Sequence, residues 1–313
     1  MSVLMIFVDG LGLGDDNPAK NPLVTAPMPN LRGLLGGAPL ARTVIPGDGQ
    51  PYEGDVATLV AVDSCLGVPG LPQSATGQTT MLSGVNAAAM LGRHLSGLPT
   101  PTLVDILRRH SLFKQLVEAG RRATFANPFT PEYFEAVNSG RWRHSATTTA
   151  VLSAGLPVRM LADLQAGRAV FHDVTGETLR ERGYDVALVS PREAGRRLAR
   201  LAREHDFVLF EHFLTDKAGH AQDWESARHW LGVLDEFLGG VLDAVDLDRT
   251  LVMLISDHGN VEDLSVRTHT QNPVPALLIG RGRAQAAAGL ASLVDVTPVI
   301  LALLAGEGGT ACG

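Results

Sequence analysis

Carboxylate and imidazole side chains recur in this sequence at the borders of short apolar runs. The first apolar run ends in VDGLG, and three later stretches read DKAGH, DHGN and HTQNPVP. The residues that could do chemistry in these four stretches are Asp9, Asp216, His220, Asp257, His258 and His269. Carboxylate oxygens together with neutral imidazole nitrogens can bind zinc or manganese. The pattern therefore indicates a metal site assembled from separate parts of the chain.

Each stretch taken alone is also typical of a turn or of a capped helix start. A shared site is favoured because every stretch borders a predicted strand, and functional groups of open α/β sheets gather at the carboxyl ends of the strands. The other histidines are expected on the surface or in the core: His94, His110, His144, His172, His205, His212 and His229.

The stretch LPQSATGQTTMLSGVNA, which starts at Leu71, supplies candidate nucleophiles. Its hydroxyl residues are Ser74, Thr76, Thr79, Thr80 and Ser83. Ser74 is predicted to lie just before a helix, where the first backbone N–H groups have no partner within the helix and can bind a phosphate. Ser74 is therefore the preferred nucleophile, and Thr76 in the first turn is the alternative.

The elements that must position these residues are predicted from apolar periodicity. Strands are expected at 3–8, 58–62, 123–126, 207–210, 251–255 and 276–279. Helices are expected at 77–91, 102–118, 192–204, 224–245 and 294–304. This alternation predicts an α/β fold in which a mostly parallel sheet is sandwiched by helices. Residues 1–127 and 191–313 would form the catalytic core, and 128–190 a small insert or cap.

Composition excludes several classes of function. The 313 residues are 45% hydrophobic and 19% charged, with a formal net charge of −7, which gives no support for binding nucleic acid or an anionic membrane. The cysteines are Cys65 and Cys312, too few for a disulfide framework. The start, MSVLMIFVDG, has no basic region of a signal peptide, and no apolar run reaches the ~20 residues that span a bilayer. We expect a cytoplasmic protein.

The order of the motifs resembles the alkaline-phosphatase superfamily, in particular the branch of cofactor-independent phosphoglycerate mutase and phosphopentomutase. That branch has an early DG, a GNSEVGH nucleophile segment, DxxGH, DHGN and HTxNxVP. This chain has VDGLG, PQSATGQ, DKAGH, DHGN and HTQNPVP in the same order. The late stretch LVDVTPVILALL is similar to the superfamily's closing D-x-x-P-T-x-L helix. The likeness covers both ends of the chain and skips the middle.

The resemblance implies an alkaline-phosphatase-like fold and a metal-dependent phosphoryl-transfer enzyme with two divalent metal ions, manganese or zinc. Asp216, His220 and His269 would hold one ion. The ligands of the other would be Asp9, Asp257, His258 and the nucleophile Ser74. Two ions roughly 3.5–4 Å apart can stabilise both the attacking and the leaving oxygen, and the serine would carry the phosphoryl group as phosphoserine.

The chain departs from the mutase pattern in two places. Gln78 stands where the mutases' nucleophile segment has a histidine. The interval from Gly84 to Asp216 is too short for the large second domain of the phosphoglycerate mutase, and it contains no counterpart to that enzyme's arginine-rich substrate loop. A small cap makes it harder to retain and reorient an intermediate. We therefore expect a hydrolase of small phosphate esters, with a phosphomutase as the alternative.

Candidate groups for the substrate phosphate flank the predicted site. They are Arg93, His94, Asn127 and Lys217. Within the predicted cap, Arg141, Trp142 and Arg143 could roof the pocket.

Two functions of other classes remain as alternatives. GLGLG at Gly10 is superficially similar to a glycine-rich phosphate loop of a nucleotide- or sugar-binding module, but it does not match GxGxxG and no Walker lysine follows. That reading also leaves the Asp and His residues unexplained. The second alternative is a metal-binding protein without turnover, against which the complete ligand set and Ser74 argue.

Overall fold

A computed structural model of the chain describes residues 1–306. The strands are β1 (Ser2–Val8), β2 (Tyr52–Glu53), β3 (Ala57–Val62), β4 (Ala123–Phe125), β5 (Pro128–Phe129), β6 (Arg159–Met160), β7 (Phe207–His212), β8 (Thr250–Ile255) and β9 (Val274–Gly280). Seven of them form one sheet in the order β2-β3-β9-β8-β1-β7-β4, while β5 and β6 pair separately. Cys65 is a free thiol; Cys312 lies outside the described residues.

The helices precede, connect and cover these strands. They are α1 (Pro22–Thr25), α2 (Pro29–Leu34), α3 (Ser74–Met81), α4 (Ala87–Leu91), α5 (Pro101–His110), α6 (Leu112–Glu118), α7 (Pro131–Asn138), α8 (Ala146–Ser153), α9 (Leu161–Gln165), α10 (Glu177–Glu181), α11 (Pro191–Glu204), α12 (Leu214–Ala221), α13 (Trp224–Ala244), α14 (Arg283–Gly289) and α15 (Val296–Ala305). Within residues 1–306, none of the helices combines the length and the apolar character that crossing a bilayer requires.

Strand directions bring the predicted site residues to one edge of the large sheet. β4, β7, β1 and β8 lie side by side and run parallel. β9 is antiparallel to both β8 and β3, so β3 points the same way as the parallel group, and β2 is antiparallel to β3. The predicted α/β fold with a mostly parallel sheet is confirmed. Because β9 is reversed, its N-terminal end meets the C-terminal ends of β1, β7 and β8.

The central strands have apolar layers on both faces. Every residue of β1 is buried, and successive side chains point to opposite faces. Leu4, Ile6 and Val8 belong to the core that includes Leu198 of α11 and Phe237 of α13. The residues between them, Val3, Met5 and Phe7, belong to the opposite core, which includes side chains of α6 and α15. This two-sided burial explains the uninterrupted apolar run in the sequence.

Two of the predicted helices are interrupted, and the predictions of continuous helices were wrong. The region 77–91 contains α3 and α4, separated where Gly84 adopts φ +72° and Asn86 caps α4 by accepting the Ala89 N–H at 2.9 Å. The region 102–118 contains α5 and α6. They meet at Ser111, whose hydroxyl accepts the Lys114 N–H at 3.1 Å. A local capping bond overrides the amphipathic period in both cases.

The segment 128–190 contributes to two different apolar clusters. Its helix α8 packs in the main core through Ala146, Ala150 and Val151, and the Ser111 hydroxyl donates to the Ala150 carbonyl at 3.0 Å. Farther along, a small cluster contains Leu164, Ala169, Phe171, Leu179 and Val186. The proposed boundaries of the cap stay a prediction, but α8 anchors the segment to the core.

Helices α11 and α13 cross at closely packed glycines on one face of the sheet. A Cβ atom added at Gly240 would lie 2.7 Å from the carbonyl carbon of Arg192 and closer still to its oxygen. A Cβ at Gly195 would lie 2.6 Å from the backbone nitrogen of Val241. The bidentate pair between Arg192 and Asp243, with both N–O distances at 2.7 Å, flanks this crossing. Backbone packing therefore sets the distance between these helices.

The substitution Gly240→Ala should lower the free energy of unfolding by about 2–4 kcal/mol, because the added methyl group must push two backbones apart. Gly232→Ala is the matched control. It lies on the same helix with open space around its Cβ position, and it should be neutral or stabilise by up to ~1 kcal/mol through helix propensity. Urea unfolding followed by circular dichroism measures both. Equal effects of the two substitutions would contradict the close packing.

Candidate active site

Six of the seven predicted metal-ligating residues, the aspartates and the histidines, converge at one edge of the sheet. Asp9 directly follows β1, and Asp257 and His258 follow β8. Helix α12, which comes after β7, carries Asp216 and His220 one turn apart. His269 lies in the loop before the reversed strand β9. The sequence-based expectation that these side chains lie together agrees with the geometry.

One group consists of Asp216, His220 and His269. The His220 Nε2 atom lies 3.4 Å from Asp216 Oδ2, and the His269 Nε2 atom lies 3.6 Å from Asp216 Oδ1. The two Nε2 atoms are 3.1 Å apart. The ligand atoms of this group all lie within 4.8 Å of one another, so they can reach a single ion.

Backbone carbonyls hold both imidazoles of this group. Nδ1 of His220 lies 2.8 Å from the Arg267 carbonyl oxygen, and Nδ1 of His269 lies 2.7 Å from the Pro72 carbonyl oxygen. Each Nδ1 must donate its hydrogen to that carbonyl, which leaves Nε2 with a lone pair when the ring is neutral. Two lone pairs that face each other repel, and a cation between them removes the repulsion.

A second group contains Asp9, Asp216 and His258, so Asp216 belongs to both groups. Nε2 of His258 lies 3.3 Å from Asp9 Oδ1 and 3.5 Å from Asp257 Oδ2. The rings of His258 and His269 stack with their centroids 3.7 Å apart, which joins the two groups.

Gln78 bridges two of the buried carboxylates. Its amide nitrogen donates to Asp9 Oδ2 at 3.3 Å and to Asp257 Oδ2 at 3.1 Å. The other oxygen of each carboxylate, Oδ1, is buried without a hydrogen-bond partner. Buried polar atoms are seldom left unpaired, and in this site the orphaned oxygens are natural ligands for a cation.

Burial and neighbouring charges shift the pKa values of the residues in this cluster. Burial, followed by the charges of Asp257 and Asp216, raises the pKa of Asp9 well above its usual range. Burial also raises the pKa of Asp257 to about 7 and lowers that of His258 to about 3. Clustered carboxylates beside neutral imidazoles are what a divalent cation stabilises. The orphaned oxygens, the facing nitrogens and the donor types together fit bound metal.

Among the hydroxyls of the 71–87 stretch, Ser74 faces the cluster. Its Oγ lies 2.9 Å from His258 Nε2. The other four donate to backbone carbonyls: Thr76 to Gln73, Thr79 to Ala75, Thr80 to Thr76 and Ser83 to Thr79. Ser74 is itself the first residue of α3, preceded by Gln73 as the N-cap, rather than the residue before the helix. The geometry therefore supports Ser74 over Thr76 as the nucleophile.

Asn260, the last residue of the DHGN stretch, was not assigned a role from the sequence. Its amide nitrogen donates to Asp216 Oδ1 at 2.6 Å and to the Asp216 carbonyl at 3.2 Å. A Cβ atom at Gly219 would lie 2.6 Å from the amide carbon of Asn260. The absence of a side chain at Gly219 of DKAGH thus leaves space for Asn260 of DHGN, which orients Asp216. The DKAGH and DHGN stretches are therefore in direct contact.

Glu262 was missed entirely, although its carboxylate joins the loop after β1 to the loop between β8 and β9. It is fully buried. Its donors are the N–H groups of Gly12 at 3.0 Å and Asn260 at 2.7 Å, the Asn272 amide at 3.0 Å, and the Thr270 hydroxyl. A glutamate shortly after DHGN was the available signal, but its contact with Gly12 spans 250 residues of sequence.

A cavity of about 780 Å³ opens beside Ser74, Asp9 and Asp216. Two of the four predicted substrate residues, Asn127 and Lys217, line it, as do all three predicted roof residues: Arg141, Trp142 and Arg143. The Asn127 amide is occupied, because it donates to the Glu211 carbonyl at 2.7 Å and accepts the Glu211 N–H at 2.9 Å. The Lys217 ammonium lies 4.9 Å above the Phe213 ring.

Arg93 and His94 are not among the residues that line this cavity. The His94 Nε2 atom instead lies 3.1 Å from the Cys65 carbonyl and 3.2 Å from the Val68 carbonyl. Arg93, the residue before it, is exposed to solvent. They are therefore not supported as phosphate-binding groups.

Glu211 lines the cavity and was also missed. It lies near the end of β7, where alternation would place it on a covered face of the sheet. Burial raises the pKa of Glu211 to about 7, with a smaller contribution from the charge of Asp257. A carboxyl group of this kind can be either protonated or ionised near neutral pH.

Fold and site together define a metal-dependent α/β enzyme. The chain belongs to the Metalloenzyme superfamily, whose family model matches residues 1–307. This confirms the resemblance to alkaline-phosphatase-like proteins, and the chain is an enzyme of the metal-dependent phosphatase and phosphotransferase class.

Curated relatives match a limited part of the chain. The 2,3-bisphosphoglycerate-independent phosphoglycerate mutase of Desulforudis audaxviator is 36% identical over 107 residues, which is 32% of this chain and 21% of the relative. The corresponding protein of Acetivibrio thermocellus is 32% identical over 112 residues, which is 34% of this chain and 22% of the relative. The matched parts thus span about a fifth of the length of these relatives.

Solved structures share the fold over nearly the whole chain. The PH0037 protein from Pyrococcus horikoshii aligns with a TM-score of 0.58 and 17% identity, covering 97% of this chain and 96% of that one. The phosphoglycerate mutase of Leishmania mexicana aligns with a TM-score of 0.55 and 11% identity, covering 97% and 95%. At these identities the comparison supports the fold alone.

The substitution Glu262→Ala should lower the free energy of unfolding by about 3 kcal/mol or more, because it leaves several buried donors without an acceptor. The exposed Glu236 on α13 provides the control, and Glu236→Ala should change stability by less than about 0.5 kcal/mol. Urea titration of metal-free protein measures both. A loss of stability no larger than the control's would show that Glu262 does not hold the loops together.

Glu211 should make stability pH-dependent. Its folded-state pKa of about 7 lies above the ordinary 4.5, so its contribution to stability is fully present below the ordinary value and is lost as the pH rises through about 7. Glu211→Gln cannot ionise. Relative to wild type, it should therefore gain about 2–3 kcal/mol between pH ~5 and ~8. Urea unfolding of metal-free protein across this range, with Glu236→Gln as control, measures the gain; parallel curves for wild type and Glu211→Gln would refute it.

Proposed function

We propose that this protein hydrolyses small phosphate monoesters through a phosphoserine at Ser74. The observation that carries the proposal is the placement of the Ser74 hydroxyl, 2.9 Å from His258 Nε2 and on a residue that lines the cavity. The carboxylates of Asp9 and Asp257, each with an orphaned oxygen, lie around the same imidazole. A nucleophile at the border between a metal-ligating cluster and a substrate-sized cavity is suited to phosphoryl transfer.

The reaction consists of two displacements at phosphorus. In the first, Ser74 Oγ forms a bond to phosphorus while the bond from phosphorus to the alcohol oxygen breaks. The hydroxyl gives up its proton, and the departing alcohol oxygen takes one up. In the second, water forms a bond to phosphorus and the bond to Ser74 Oγ breaks, which releases phosphate and restores the hydroxyl. When bound, divalent ions would lower the pKa of the Ser74 hydroxyl and neutralise charge on the phosphoryl oxygens.

The position of α3 supports this role for Ser74. At the N-terminus of a helix the first backbone N–H groups lack partners within the helix, and the helix dipole favours an anion there by a few tenths to ~1 kcal/mol. A Cβ atom at Gly77 would lie 2.9 Å from the Asp257 carbonyl oxygen. The glycine therefore lets the helix approach the ligand loop closely enough to present Ser74.

Two divalent ions, manganese or zinc, are part of the proposal. Asp216, His220 and His269 would hold one, and Asp9, Asp257, His258 and Ser74 the other. Asp216 also lies within reach of Asp9 and His258, so it could help to hold either ion. A cytoplasmic location without nucleic-acid or membrane partners remains a prediction from composition.

A phosphomutase is the second candidate, and the identity of the curated relatives favours it: they are phosphoglycerate mutases. In a mutase, a hydroxyl of the bound alcohol rather than water would take the phosphoryl group from Ser74. The departure at Gln78 and the short interval between Gly84 and Asp216 favour water as the acceptor.

The experiment is a phosphate-ester panel with added manganese or zinc, scored for released phosphate and for phosphoryl migration. We expect phosphate release that depends on metal, and a loss of kcat of at least about a thousandfold in Ser74→Ala with metal content retained. Ser96→Ala, at an exposed serine in the loop after α4, is the matched control and should keep wild-type turnover.

Each outcome separates the candidates. Phosphoryl migration without net phosphate release would show that the protein is a phosphomutase and not a hydrolase. Full turnover in Ser74→Ala would refute the assignment of Ser74 as the nucleophile. Bound metal without turnover of any ester would favour the metal-binding protein without catalysis.

A further inference from the structure

The cavity beside Ser74 is far larger than a phosphate group needs. Its volume of about 780 Å³ lies within the range of roughly 300–1,000 Å³ that is typical of sites for drug-sized ligands. Ser74, Asp9 and Asp216 are a small part of the residues that line it. Most of the remaining space must therefore receive the alcohol part of the substrate.

One wall of the cavity is a series of aromatic rings. Phe129 lies 6.1 Å from Phe125 and 4.9 Å from Tyr133, measured between ring centroids. Tyr133 in turn lies 6.0 Å from Trp142. The Tyr133 hydroxyl and His144 Nδ1 form a hydrogen bond of 2.9 Å, which holds the tyrosine in place. Aromatic rings therefore make up a large part of this side of the cavity.

A second series of rings lines the cavity through Phe171, His172 and Phe213. The centroids of Phe171 and His172 are 4.1 Å apart, and those of His172 and Phe213 are 4.3 Å apart. Burial lowers the pKa of His172 to about 3, so its imidazole stays neutral and behaves as another aromatic surface.

Trp142 is the exposed member of the first wall. Trp142 is 55% exposed although its side chain is large and apolar. Its backbone N–H donates to the Ala136 carbonyl at 3.0 Å. Large exposed aromatics that border a cavity are typical of ligand sites. The cationic side chains that also line the cavity are Arg141, Arg143, Arg182 and Lys217, and they disfavour a positively charged ligand.

From these observations we propose that the substrate is a phosphomonoester whose alcohol part carries a planar, neutral or anionic ring system, bound between the two aromatic walls, with Trp142 as a specificity-determining residue. The proposal rests on the proposed function for the placement of the phosphate at Ser74. It distinguishes this protein's substrate from a triose phosphate, which has no ring to contact the walls.

The test compares two ligands that cannot be hydrolysed, 2-naphthylmethylphosphonate and methylphosphonate, by calorimetry on the full chain loaded with manganese. The naphthyl ligand should bind at least about tenfold more tightly, because its ring system is removed from water against aromatic surface. Trp142→Ala should reduce this preference about tenfold and Trp142→Phe should restore part of it. Leu188→Ala is the control: this side chain lies in the same segment and is 49% exposed, but it is not among the residues that line the cavity.

A parallel assay follows hydrolysis of 2-naphthylmethyl phosphate and glycerol 1-phosphate, two primary alkyl esters. The ratio of their kcat/KM values should fall about tenfold in Trp142→Ala. Equal binding of the two phosphonates, or an unchanged preference of Trp142→Ala for the naphthyl ligand, would overturn the proposal that the aromatic walls bind a ring system. Preferential binding of the naphthyl ligand without hydrolysis of either ester would support ring binding by the aromatic walls and refute the proposed hydrolase function.

Discussion

Concentrated negative charge at one edge of an apolar sheet is the constraint on which the structure depends. Asp9 and Asp257 are buried at the ends of β1 and β8, and Asp216 approaches them from α12. Burial of carboxylates costs free energy unless they are paired or bind a cation. The fold holds this cluster together because the three segments that carry it are anchored, two by buried strands and one by a helix that follows a strand.

Neutral donors, rather than lysine or arginine, hold these carboxylates in position. Gln78 bridges Asp9 and Asp257, and Asn260 orients Asp216. An ammonium or guanidinium in either place would itself neutralise the charge and compete with a metal ion. An amide fixes the geometry and leaves the negative charge available. Gln78 adds no nitrogen ligand to the site, because its amide nitrogen donates to both carboxylates.

Sequence patterns predict the parts of the site that are local and miss the parts that depend on distant contacts. The strands before Asp9 and Asp257 are continuous apolar runs, so both the elements and the residues at their ends were predictable. Glu262 has only its position after DHGN as a local signal, because its role depends on donors spread along the loop between β8 and β9 and on Gly12, which is 250 residues away. The breaks at Gly84 and Ser111 were missed for another reason: a capping bond or a positive φ ended a helix whose apolar period continued.

Under the proposed function, the first aromatic wall and the candidate metal ligands come from different parts of the chain. The candidate ligands lie in the loop after β1, in the loop between β8 and β9 and on helices α3 and α12, whereas Tyr133 and Trp142 lie between β5 and α8. Helix α8 is fixed in the main core, and its N-cap Ser145 accepts the Thr148 N–H at 3.1 Å. Residues 131–145 therefore start and end at anchored points. Substitutions within this stretch can reshape one wall of the cavity without moving a metal ligand, so substrate preference can change while the phosphoryl-transfer geometry is retained.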